Sequence, residues 1–154
     1  MLVLIAFLLA ADQMSKFLVR RWTVPYESTG VLPFFSIENV QNSGIAFGML
    51  KGHTGLVIFT STAIVLLLVV TAMAIMQDPR FIWPLAFLVA GSMGNLIDRF
   101  SFGYVTDFLH FPHWPAFNLA DIFIIIGAAL LIRVFLLLSG KEEDDGSGDV
   151  STAA

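Results

Sequence analysis

Hydrophobic positions gather into four long runs separated by segments of quite different texture. The first extends from Met1 to about Val19, interrupted by Asp12 and Lys16. The second, from about Thr54 to Met76, holds no charge at all. The third covers about Phe81 to Ile97 and closes on Asp98 and Arg99, and the fourth covers about Leu119 to Leu138 with Asp121 near its start. Each approaches or reaches the roughly 20 residues that a helix needs to cross a bilayer. The pattern therefore predicts a mainly α, polytopic membrane protein with four transmembrane helices near residues 1–19, 54–76, 81–99 and 119–138. The first run lacks the basic lead and the small, neutral cleavage region of a secretory signal peptide, so it reads as a retained helix.

Only Gln77-Asp78-Pro79-Arg80 separates the second and third runs, which makes them an antiparallel hairpin. Segments 22–53 and 100–117 lie on the opposite side, and four spans place both termini together. From Leu32 to Met49 aromatic, β-branched and polar residues mix, with a turn signal at Asn42-Ser43-Gly44. That texture predicts a small β-hairpin or partial sheet on the membrane surface. Trp22, Phe34, Phe35, Phe111 and Trp114 suit the same interfacial level.

Composition sharpens this picture. The chain of 154 residues is 57% hydrophobic and 13% charged, about half the ~25% charged content of a soluble domain. Lipid has to be part of its solvent. Glu142, Glu143, Asp144, Asp145 and Asp149 crowd the C-terminal segment 141–154, whose Gly/Ser/Asp-rich composition predicts a disordered acidic tail. The remaining body, 1–140, carries seven acids and seven bases, with no basic stripe that would suit nucleic acid. The absence of cysteine removes disulfides, thiolate catalysis and Cys-ligated metal. Basic residues near the two ends of the spans balance, so charge alone leaves the orientation open.

Ionisable groups at membrane depth cost about 2.5–3.5 kcal/mol each on insertion scales, so they need a partner or a task. Asp12 and Lys16 share a helix face and can pair as i,i+4 neighbours. Ser15-Lys16 does not make a serine–lysine pair, because adjacent helix positions point about 100° apart. Asn42 sits either in a plain turn or in a substrate clamp. Gly94-Asn95-Leu96-Ile97-Asp98-Arg99 closes the third span, either as a salt-bridged anchor or as part of a site. Asn118 reads as an N-cap with Asp121 at N3, which leaves Asp107 without an explanation. Pro112 and Pro115 let the intervening loop fold back and bring Asp107 to Asp121. Two carboxylates held close share a proton, and such a pair can hydrolyse a peptide bond without metal. Asp107, His110 and His113 also spell a metal-like spacing, but Pro112 breaks the helix that would align them, and interfacial histidines are the simpler account.

Taken in order, Asp12-Gln13-Met14-Ser15-Lys16, Asn42-Ser43-Gly44-Ile45-Ala46-Phe47, Gly94-Asn95-Leu96-Ile97-Asp98-Arg99, Val105-Thr106-Asp107-Phe108 and Phe117-Asn118-Leu119-Ala120-Asp121 resemble the lipoprotein signal peptidase (signal peptidase II) family. The resemblance implies an aspartyl endopeptidase with Asp107 and Asp121 as its catalytic pair. Asn42, Asn95, Arg99 and Asn118 would orient the substrate, and Asp12, Lys16, Gly94 and Asp98 would support the site. It further implies that no metal or cofactor is used, and that the substrates are diacylglyceryl-modified prolipoproteins cut before the lipidated cysteine. The expected setting is the bacterial cytoplasmic (inner) membrane, as a monomer in contact with lipid, with both termini cytoplasmic and the site extracytoplasmic. A surface segment at 32–50 would close over the groove. A channel lined by the membrane charges, a non-catalytic scaffold associating through Gly91 and Gly94, and a metal-dependent membrane protease are the competing readings.

Overall fold

The computed structural model describes residues 1–44 and 53–148, the side chains of Val31 and of residues 140–148 excepted. Four helices long and apolar enough to cross a membrane are present among them: α1 (Leu2–Trp22), α2 (Thr54–Ile75), α3 (Ile82–Phe102) and α4 (Leu119–Gly148). A 3-10 turn, Pro79–Phe81, leads into α3. Its Asp78 accepts from the Arg80 backbone N–H at 2.9 Å and so caps the hairpin between α2 and α3.

Glycine decides how tightly the helices meet. A Cβ on Gly91 would lie 2.4 Å from the Ala120 carbonyl oxygen, and one on Gly127 would lie 2.8 Å from the Leu88 side chain and backbone. Their absence lets α3 and α4 approach backbone to backbone, the usual route to close packing where lipid removes the hydrophobic drive between helices. Helix α3 is the hub, packed against α1, α2 and α4. Away from the polar end, Ala72, Phe81 and Leu85 form a buried apolar cluster joined by Leu131 and Val134 of α4.

Three strands cover one end of the bundle. β1 (Ser28–Leu32), β2 (Phe35–Asn42) and β3 (Val105–His110) make an antiparallel sheet in that order. The hairpin begins upstream of the predicted 32–49 segment, with β1 before it and β2 inside it. Pro33 and Phe34 form its tight turn, because Pro cannot continue a ladder. The register shifts between Ile37 and Val40, an irregularity that bends β2 where it meets β3 and sets Val40 opposite Asp107. β3 was hidden in a segment that reads as loop from its composition. Residues 45–52, and with them Ile45-Ala46-Phe47 and part of the expected closing segment, lie outside the described residues.

Helix α4 also departs from expectation. Its apolar span ends at Ser139, but the helix continues through residues 141–148, where the composition predicts a disordered tail. Lys141, Glu142 and Glu143 are good helix formers, and they extend an existing helix without the cost of nucleating a new one.

Candidate active site

The site is built where the sheet meets the ends of α3 and α4. Asn118 N-caps α4: it accepts the Asp121 backbone N–H on Oδ1 at 3.0 Å, and its own backbone N–H donates to Asp121 Oδ2 at 3.1 Å. This reciprocal capping box fixes Asp121 at the start of α4, so the capping reading of these two residues holds and is compatible with the functional one. Asp121 Oδ1 accepts from Asn95 Nδ2 of α3 at 2.8 Å. Asp107 hangs from β3, buried, with Asn118 Nδ2 donating to its Oδ1 at 2.6 Å and Asn42 Nδ2 to its Oδ2 at 2.9 Å. Both carboxylates line one cavity of about 670 Å³. Burial, then the neighbouring Asp121 charge, push the Asp107 carboxyl up to about 7, against the opposing pull of the Asn42 and Asn118 hydrogen bonds.

Helices α2 and α4 supply apolar and hydroxyl walls to the cavity through Ser61, Ile64, Ile124 and Ile125, while Val40, Trp114, Pro115 and Phe117 come from the sheet and the loop after it. Arg99 also lines it. Its guanidinium donates to the Gly44 carbonyl at 3.1 Å and to the Asn95 carbonyl at 3.4 Å, while its buried Nε has no protein partner among the described residues. A forked donor with spare capacity at the wall of a cavity is suited to a carbonyl of a bound peptide. Arg99 does not pair with Asp98, as a simple anchoring salt bridge would require. Asp98 turns the other way, to Lys16 at 3.6 Å and Arg20 at 3.5 Å.

Behind the two carboxylates lies a second polar layer. Lys16 and Asp12 are fully buried and 3.0 Å apart. Asp12 Oδ1 accepts the Ala120 backbone N–H at 2.9 Å, so an acid of α1 helps cap α4. Gly94 makes this possible, because a Cβ there would lie 2.4 Å from Asp12 Oδ2. Asp98 Oδ2 accepts the Thr106 backbone N–H at 3.0 Å, one residue before Asp107. Two acids (Asp12, Asp98) and two bases (Lys16, Arg20) balance formally, which is what burying them requires.

All ten residues singled out from the sequence are thus assembled at one end of the bundle. Two more contribute. Gln13 Nε2 lies within 3.1 Å of both Asp12 Oδ2 and the Gly94 carbonyl, and Arg20 donates to Thr106 Oγ1 at 2.9 Å while its guanidinium stacks 4.4 Å from the Phe102 ring centroid. The helical spacing Asp12, Lys16, Arg20 was the available signal for Arg20. His110 meets Glu38 at 3.2 Å and Ser36 at 3.3 Å on the sheet, and His113 is exposed. Ser15 donates to the Asp12 carbonyl in its own helix at 2.7 Å, away from Lys16.

The family model described as signal peptidase (SPase) II matches residues 4–137. The chain belongs to the signal peptidase II family. It is 36% identical over 141 residues to the lipoprotein signal peptidase of Caldanaerobacter subterraneus subsp. tengcongensis, covering 90% of this chain and 97% of the relative. To that of Alteromonas mediterranea it is 42% identical over 158 residues, covering 97% and 85%. A solved bacterial membrane enzyme, obtained by the in meso method, superposes with a TM-score of 0.83 at 27% identity, covering 91% of this chain and 89% of that one. Signal peptidase II membership makes the chain a multi-pass membrane protein and an aspartic endopeptidase that removes signal peptides from prolipoproteins.

Proposed function

We propose that Asp107 and Asp121 are the catalytic pair and that cleavage falls immediately before a diacylglyceryl-modified cysteine. The observation that carries the reading is the convergence of two carboxylates from different elements on one cavity, each held by asparagine amides. One carboxylate takes a proton from a water molecule, whose oxygen attacks the scissile carbonyl carbon. The other gives its proton to the carbonyl oxygen. The tetrahedral intermediate then collapses, the C–N bond breaks, and the amine leaves with a proton returned by the pair. Arg99 and Asn42 orient the peptide, Asn95 and Asn118 hold the carboxylates, and Asp12, Lys16, Gly94 and Asp98 support them.

Two acyl chains keep a substrate in the bilayer, so a groove open sideways between α2 and α4 admits it without drawing lipid into water. The enzyme works as a monomer in the bacterial cytoplasmic membrane, with both termini cytoplasmic and the sheet and cavity on the outer side. Aromatic side chains exposed at that end, Trp22, Phe34 and Trp114 among them, suit the interface. The test is cleavage of a prolipoprotein by the purified protein in detergent, with and without diacylglyceryl on the cysteine and with a chelator present. Cleavage of the lipidated form alone, indifferent to chelator, is expected. Equal cleavage of both forms would remove the lipid requirement, and loss with chelator would return the metal-dependent reading.

A further inference from the structure

Three asparagines aim amide nitrogens at the two carboxylates, and in each the carbonyl oxygen is held from behind. Asn42 Oδ1 accepts the Gly44 backbone N–H at 3.0 Å, and Asn118 Oδ1 accepts the Asp121 backbone N–H at 3.0 Å. Asn95 is different. It lies inside α3, where neighbouring backbone N–H groups are spent on the helix ladder, so no main-chain donor is free to hold its oxygen. Lys16 takes that part, with Nζ 2.9 Å from Asn95 Oδ1.

Lys Nζ donates and never accepts. The side of the Asn95 amide facing Lys16 must therefore be oxygen, and the side facing Asp121 must be NH2. Without Lys16, Asn95 Oδ1 would keep, among the described residues, only Asn118 Nδ2 at 3.1 Å, a group already shared with Asp107 Oδ1. A simple counter-ion for Asp12 would need no such contact, since the Asp12 carboxylate at 3.0 Å already neutralises the Lys16 charge, with Asp98 also 3.6 Å from Nζ. Nζ nonetheless reaches Asn95 as closely as it reaches Asp12.

We infer that Lys16 is a positioning residue: it fixes the orientation of the Asn95 amide, and through it the Asp121 carboxylate. The inference rests on the reading of Asp107 and Asp121 as the catalytic pair. It assigns to a buried side chain of α1, remote from the cavity wall, a share in kcat and none in substrate binding.

A double-mutant cycle tests it. Asp12→Asn keeps an oxygen for the Ala120 N–H and serves as the reference background, in which Lys16→Met removes the donor without stranding a buried charge pair. There, Lys16→Met should lower kcat about 10- to 100-fold, the scale of one hydrogen bond to a charged group, with KM within about threefold. Asn95→Ala should cost a similar factor, and Lys16→Met added to it should cost nothing further. Losses that multiply, or an unchanged kcat for Lys16→Met, overturn the inference. If the Lys16→Met protein does not fold, Lys16→Gln in the same background decides: its amide keeps the position polar but is one bond too short to reach Asn95 Oδ1 as Nζ does. Loss of kcat at retained KM supports the inference, and native kcat overturns it. Asp121→Asn measured alongside separates the two levels. Native cleavage by that variant defeats the catalytic pair itself, whereas an inactive Asp121→Asn with an additive cycle defeats only the role of Lys16.

Discussion

Helices α2 and α3 are neighbours of nearly equal length, 22 and 21 residues, joined by a tight hairpin, and they do opposite work. α2 buries three residues, Val57, Val65 and Ala72. Its Thr60 and Thr62 hydroxyls turn back to the Leu56 and Ile58 carbonyls of their own helix, and its main contact is α3. α3 buries ten residues, among them Asn95 and Asp98, and sends polar groups to α1, β3 and α4. The more uniformly apolar span is thus the wall, and the less apolar one is the hub. High hydropathy reports contact with lipid, whereas polarity surviving at membrane depth reports contact with other protein groups that satisfy it.

The comparison breaks first at the elements α3 holds in place. Asp107→Asn and Asp121→Asn should each reduce cleavage at least about 1,000-fold, as loss of a member of an acid–base pair does, while the protein remains folded in the membrane. Near-normal turnover by either would detach the chemistry from the α3 network. Arg99→Lys comes next. Replacing a planar fork with a point charge should cost about 10- to 100-fold in kcat/KM, the scale of one or two charge-assisted hydrogen bonds; native kinetics would take Arg99 out of the site.

The pH response follows from Asp107. Its carboxyl stands at about 7, above the ordinary value, so the pair retains one proton up to that pH and loses it above. The free-enzyme kcat/KM should therefore decline above about pH 7, approaching tenfold per unit, and a flat profile to pH 9 would contradict the shared-proton mechanism. The smallest effects distinguish the two helices as packing elements. Gly91→Ala in α3 drives a Cβ to 2.4 Å from a backbone oxygen and should destabilise by about 1–3 kcal/mol. Gly55→Ala in α2 meets nothing within 4 Å and should be neutral or stabilising by under about 1 kcal/mol. Thermal unfolding in detergent measures both, and equal shifts would erase the distinction between hub and wall.

What could be read from the sequence was what repeats or what offends. Twenty apolar residues in a row announce a span, and Asp12, Asn95, Asp98 and Asp121 stand out because their positions are otherwise apolar. β3 was illegible, because Val105–His110 is six residues long and becomes a strand only by pairing with β2 across a long stretch of chain. β2 falls inside the segment that reads as sheet, but β1 lies before it, because the turn is Pro33-Phe34 and the stronger turn signal, Asn42-Ser43-Gly44, sits downstream. From the sequence Arg20 reads only as a charge near a helix end, since its task exists only once Asp98 and Thr106 arrive from α3 and β3. The helical extension into 141–148 escaped a compositional argument because composition ignores the helix already running into it.

The pairing of Asp12 with Lys16 inside α1 has a consequence for how the protein is made. The 79 positions that separate Lys16 from Asn95 take about 4–16 s to synthesise at ~5–20 residues per second. During that interval α1 is in the bilayer without α3 or α4, and its buried charges have no distant partners. An i,i+4 pair is complete as soon as its own helix forms, so α1 travels with its counter-ion aboard. When the later helices dock, they recruit a ready-made dipole in place of rescuing two bare charges from lipid.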